Sequence, residues 1–147
     1  MEFNYVSTGI QLIGTKIQKL EVDNNIINIE KEAKRSFSLN INEPHFEEDK
    51  GQLFAQMVID FEVQVEQTDD QTMTLEMSLE GVFVSDEDAK EEEFKKLVAV
   101  NGASAIIGIA RGKIETLTAN IFNDGKVVIP FINVVEYYKS MIEQSKE

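Results

Sequence analysis

Residues 53–83 read LFAQMVIDFEVQVEQTDDQTMTLEMSLEGVF, and the alternation within them decides the fold. Leu53, Ala55, Met57, Ile59, Phe61, Val63 and Val65 take every odd position of the first run, with Gln56, Asp60, Glu62 and Gln64 between them. Phe54 and Val58 are the exceptions. The second run sets Met73, Leu75, Met77, Leu79 and Phe83 on one face and Thr74, Glu76, Ser78 and Glu80 on the other. A period of two sustained this long means half-buried antiparallel strands, with one face on a core and one in water. The polar link EQTDDQT reads as the turn of a hairpin joining them.

Working outward, residues 35–41 read as a third strand, with Phe37, Leu39 and Ile41 on one face, ending at Asn42-Glu43-Pro44. The stretch NEPHFEEDKG that follows reads as a polar loop with a single apolar residue, Phe46. Residues 10–22 carry two patterns. Ile10, Ile13, Ile17 and Leu20 suit a helix face, while Gly14, Thr15 and the β-branched content favour a strand; the expectation is a strand whose register changes near Gln18 and Lys19 by a bulge. Four strands result.

Beyond the sheet, Ser85-Asp86-Glu87-Asp88 has the form of a capping box. It predicts a short helix over 89–98, stopped by Asn101 and Gly102. A long helix is expected over 103–122, with Ala103, Ile107, Ala110, Ile114, Leu117 and Ile121 as its apolar stripe. Asn123-Asp124-Gly125 ends it, and Pro130 forbids a helix through the next apolar run. A C-terminal helix with adjacent tyrosines closes the chain. Gly102, Gly108 and Gly112 cost a helix about 1 kcal/mol each relative to Ala. Such a cost is usually offset where another backbone comes close. The helix is therefore expected to pack against a copy of itself, in a homo-oligomer built as a dimer of dimers with Gly108, Arg111, Gly112 and Ile114 at the interface. Arg111, one of two arginines, would there pair with an acid.

The 147 residues fit one core, and no composition shift marks a boundary, so residues 1–147 read as a single α+β domain. Fourteen Lys+Arg against 27 Asp+Glu give a formal charge of −13. That balance repels phosphate backbones and anionic membranes, and favours basic or unfolded cationic partners. There is no cysteine, hence no disulfide framework and no thiol nucleophile. His45 has no second His or Cys beside it, so no metal is expected, nor any cofactor. The start of the chain, MEFNYVSTGIQLIG, shows no export-leader pattern, and no run of 18 apolar residues appears. These features point to the cytoplasm, without insertion into a membrane.

In this order, the elements resemble those of the SecB family of export chaperones. IIGIARGKIETLTANI resembles the family's ILFPYARExISxLV, with Ala110, Arg111 and Ile114 at matching places. VVIPFINVVEYY resembles LxLxPVNFxxLY, through Pro130, Asn133 and Tyr137, and LEMSLEGVF resembles the strand ending CEVxxxGIF. Departures include Ile-Gly-Ile before the alanine-arginine pair, Gly112 where glutamate is usual, and NDGKVVIP in place of the RGGFPP turn. The resemblance implies a four-stranded antiparallel sheet with the long helix on one face and the C-terminal helix beside it.

It also implies a holdase without enzymatic activity, which keeps extended apolar segments of unfolded preproteins in a groove and passes them to the SecA motor. Phe131, Val134, Val135, Tyr137, Tyr138 and Met141 are six large side chains on or just before one short helix, more than its buried face can take. Phe131, Val134, Tyr137, Tyr138 and Met141, with Phe83 at the end of the last strand, are the candidate client-binding residues. Met73 and Met77 read first as sheet core and second as adaptable client surface. Glu76, with Glu21 and Asp23, is the candidate SecA-binding set; alternating strands also place acids on their wet face with no partner at all. Two other functions stand beside this one. A SecB-like protein can serve one dedicated partner, such as an antitoxin, and an α+β sheet can bind a small molecule.

Overall fold

The computed structural model describes residues 9–145; residues 1–8, the start of the stretch read as lacking an export leader, and residues 146–147 lie outside the described residues. Both alternating runs are strands, but among the described residues the sheet has five strands where four were expected. They are β1 (Ile10–Asn24), β2 (Lys34–Ile41), β3 (His45–Asp49), β4 (Gln52–Thr68) and β5 (Gln71–Ser85). The antiparallel order is β1-β5-β4-β2, with β3 also on β4.

The additional strand lies in the stretch read as a loop. β2 pairs with residues 59–66 of β4 and β3 with residues 52–56, so the two run in line along the same edge. The break between them falls at Pro44, which has no N–H to give a ladder. Asn42 bridges the gap, its backbone N–H donating to the Val58 carbonyl at 3.1 Å and its side chain to Asp60 at 2.9 Å. β3 turns into β4 through Lys50 and Gly51, whose φ values of 51° and 81° are those of a two-residue primed turn. β1 is a strand throughout, and its register against β5 skips Gln18, where the bulge was expected, and again Ile13.

The inner face of the sheet is the core, with Met57, Ile59, Phe61, Leu75, Met77 and Leu79 fully buried. Over it lies α2 (Ala103–Ile121), whose Ala103, Ile106, Ile107, Ala110 and Ile114 meet the sheet. α1 (Glu91–Leu97) precedes it, but Asn101 and Gly102 do not stop it. Residues Val98–Gly102 form a π-helical turn, and the helix continues from Glu91 to Ile121. Gly102 sits there because the Phe83 ring presses against it: a Cβ would stand 3.1 Å from the ring. The expected capping box is not one, since Ser85 ends β5 and accepts the Leu53 N–H on its Oγ, and α1 starts after Lys90. The 31-residue helix is long and apolar enough to cross a membrane, yet its apolar stripe is engaged with the sheet. α3 (Val134–Ser145) ends the described chain.

The alternation places Glu80 among the solvated acids of the outer face; the structure instead buries it to 4% exposure. The Gln56 amide donates to its carboxylate, Gln18 donates at 3.1 Å, and Lys16 Nζ lies 3.4 Å away. The Gln56 bond first, against the opposing effect of burial, and then Lys16 and Gln18, hold the carboxyl below the usual glutamate range. Because the folded value lies below the unfolded one, the stabilisation is complete above the unfolded value, about 4.3. It disappears as pH falls through that value to the folded one. Glu80→Gln should therefore lower the urea midpoint at neutral pH, and the gap to the parent should close on acidification through this window. A gap that stays constant well below the carboxylate range would show that Glu80 acts by shape alone.

Candidate functional site

After α2 the chain reverses and runs back along it as an extended link, residues 126–133. Three side chains of α2 at helical spacing, 111, 115 and 118, hold this link. Thr118, fully buried, accepts the Val127 N–H at 2.8 Å and donates to the Ile114 carbonyl at 2.8 Å. Glu115 takes Lys126 at 2.5 Å. Arg111 donates from Nε to the Ile129 carbonyl at 3.0 Å, and its guanidinium lies 4.0 Å from the Phe131 ring centroid. Sequence reading missed this set; its only signal was the i, i+4, i+7 spacing of three unlike polar residues.

Fixed in this way, the link alternates. Val127 and Ile129 are buried, while Val128 and Phe131 face out, Phe131 at 86% exposure. The next helix adds Val135, Met141 and Ile142, all exposed. Apolar side chains so placed contribute little to folding.

The structure divides the six candidate client residues. Phe131 and Met141 stand in solvent. Val134, at 3% exposure, is core, and so is Phe83 at 1%, against Gly102. Tyr137 accepts the Ile41 N–H at 3.1 Å, and Tyr138 donates to the Ala99 carbonyl in the π-helical turn at 2.9 Å. Burial, then the neighbouring Tyr137, pushes the Tyr138 phenol up, which keeps it a donor. Both half-buried rings thus seat α3 on the fold. Met73 and Met77 are buried on the sheet face.

The candidate interface residues divide as well. Ile114 is 0% exposed beneath its own helix, and Arg111 binds the link instead of an acid. Gly108 and Gly112 point away from the core, and a Cβ at either would meet nothing within 4 Å. With Ile17, Ile109, Lys113, Thr116 and Leu117 they line a shallow, mostly apolar cleft of about 600 Å³ between α2 and β1. On the same side, Leu20 and Val22 of the edge strand β1 stay exposed on the inner face, beyond the reach of α2.

The acidic candidates come together. Register places Glu21 opposite Glu76 and Glu76 opposite Glu62, an outer-face row across three strands, with Asp23 two positions along beside Thr74. Lys19 lies 3.2 Å from Glu76 and 3.8 Å from Glu21, and the Glu76 bond leads in raising its pKa. Asp60, next to this row, is held below the ordinary range: burial opposes that, but bonds from Ser78, Asn42 and Asn40 outweigh it. His45 opens β3 in the open, 3.1 Å from Glu47.

Among the solved structures that match this chain are those of two proteins. One is the SecB-like chaperone Rv1957 of Mycobacterium tuberculosis, in complex with a ChAD peptide from the antitoxin Rv1956 HigA1. It is 14% identical, with a TM-score of 0.57 over 84% of this chain and 91% of that one. The other is a protein of unknown function from Streptococcus agalactiae, 11% identical, with a TM-score of 0.46 over 86% of this chain and 100% of that one. No family model matches the sequence, and no curated protein does. The resemblance to SecB read from the sequence thus reappears in the fold.

Proposed function

We propose that the protein is a cytoplasmic holdase chaperone, binding extended apolar segments of unfolded proteins without covalent chemistry. The observation that carries this reading is the number of exposed apolar side chains on the link and α3, namely Val128, Phe131, Val135, Met141 and Ile142. These side chains lie outside the packed core of the described residues, where a client could reach them. The charge of −13 keeps such a surface soluble and draws cationic unfolded chains towards it. Hydrophobic contact is non-directional, which suits clients of many sequences.

In this reading the chain assembles as a dimer of dimers through the glycine face of α2 and the uncovered face of β1. Delivery to SecA would use the outer row of Glu21, Glu76 and Asp23. A second reading has its own support: the similar Mycobacterium tuberculosis fold holds a peptide of an antitoxin. A single dedicated partner is therefore the alternative to general preprotein export.

Phe131→Asp with Met141→Asp puts charges where a client must desolvate them, at several kcal/mol. The amount of protein needed to suppress aggregation of a denatured client should rise at least about tenfold. Circular dichroism and oligomer size should stay as in the parent. Suppression equal to the parent's would move the client surface elsewhere. Glu76→Lys should leave suppression intact and weaken retention of SecA. Breadth of clients recovered from a lysate separates the general role from the dedicated one.

A further inference from the structure

The link is fastened to α2 at three points, and the outermost involves a ring that the fold itself does not use. Phe131 leaves 86% of its surface in water, while the Arg111 guanidinium lies over its ring, 4.0 Å from the centroid. The same side chain holds the Ile129 carbonyl through Nε at 3.0 Å, so one residue fixes both the link and the ring two positions further on. Arginine can make both contacts at once, since its planar group stacks on an aromatic face while an edge nitrogen donates, which a lysine ammonium cannot do together. In a chain with only 14 basic residues against 27 acidic ones, one of two arginines lies beneath an exposed ring.

We propose that Arg111 is a positioning residue for the client surface. It holds Phe131 out from the fold as the anchoring contact for an extended apolar segment flanked by Lys or Arg. The occupant follows from the charge: at −13 the molecule attracts basic flanks from a distance, while the ring covers the Arg111 cation beneath it. An aromatic ring held in place before binding loses less freedom on contact, and buried aromatic anchors dominate apolar interfaces. This deepens the holdase reading and rests on it.

The test is a double-mutant cycle with a fluorescein-labelled peptide of alternating Leu and Ala flanked by lysines, its Kd read by anisotropy. Phe131→Ala should weaken binding about tenfold. Arg111→Met, which keeps the apolar stem, should weaken it about threefold. The double variant should bind no worse than Phe131→Ala alone, because Arg111 acts through the ring. Should Arg111→Met fail to fold, Arg111→Lys carries the same cycle, retaining the charge without the planar stack. Additive losses, or an Arg111 variant with the parent's Kd, overturn the positioning role. Parent protein that binds but ignores Phe131→Ala overturns the anchor alone. Parent protein that does not bind the peptide at all overturns the holdase reading, and this role with it.

Discussion

Phe83→Ala should lower the unfolding free energy by about 3–5 kcal/mol, the range for removing a fully buried phenylalanine. Phe83 is 1% exposed, and its ring fills the space that Gly102 leaves open. Register puts it between Leu12 of β1 and Ala55 of β4 on the inner face. Without the ring, the sheet loses one of its contacts with the helix, and the π-helical turn loses the group packed against Gly102. Denaturant unfolding at matched protein concentration measures the loss, since assembly makes apparent stability concentration-dependent. Client affinity, at temperatures where the variant is folded, should hardly change. A variant that unfolds like the parent but no longer holds clients would return Phe83 to the client surface, where sequence reading had placed it.

That contrast shows where the sequence was legible. The runs at 53–65 and 73–83 declare their faces because each strand has one dry side and one wet side, so these two strands could be read from alternation, except for Glu80, buried on the outer face. β3 could not, because only Phe46 of its five residues is apolar; it exists through pairing with β4 and through the Lys50-Gly51 turn. The register skip at Gln18 was legible from the conflict of periods in β1.

Asn101-Gly102 misled, since a glycine that ends a helix and one that admits a distant ring look alike in sequence. The same limit applied to the site. Periodicity says that an α3 residue is apolar but not whether it is covered, so exposed Met141 and core Val134 looked equivalent. The contacts of Arg111 were not legible, because Ile129 and Phe131 lie across a reversal of the chain.

Gly108→Leu should have opposite effects on the subunit and on its assembly. Within one subunit nothing lies within 4 Å of a Cβ at Gly108 or Gly112, so the fold gives no reason for either glycine. Replacing each with a better helix former should even stabilise an isolated helix, by about 1 kcal/mol for Gly to Ala. Two such residues one turn apart, flanked by Ile109, Leu117 and Ile17, leave an apolar notch beside the uncovered Leu20 and Val22. In the assembly reading, the backbone of a second α2 lies in that notch, and a leucine side chain would fill the space it needs. Light scattering should then give the 16.6 kDa subunit or its lower assembly for Gly108→Leu, with unchanged circular dichroism. Gly108→Ala tests the fit more finely: one methyl should weaken assembly without abolishing it. Parent protein that scatters as a monomer at micromolar concentration, or a Leu variant that assembles fully, would leave the notch without a partner helix. The two helix glycines would then stand unexplained by anything within the subunit.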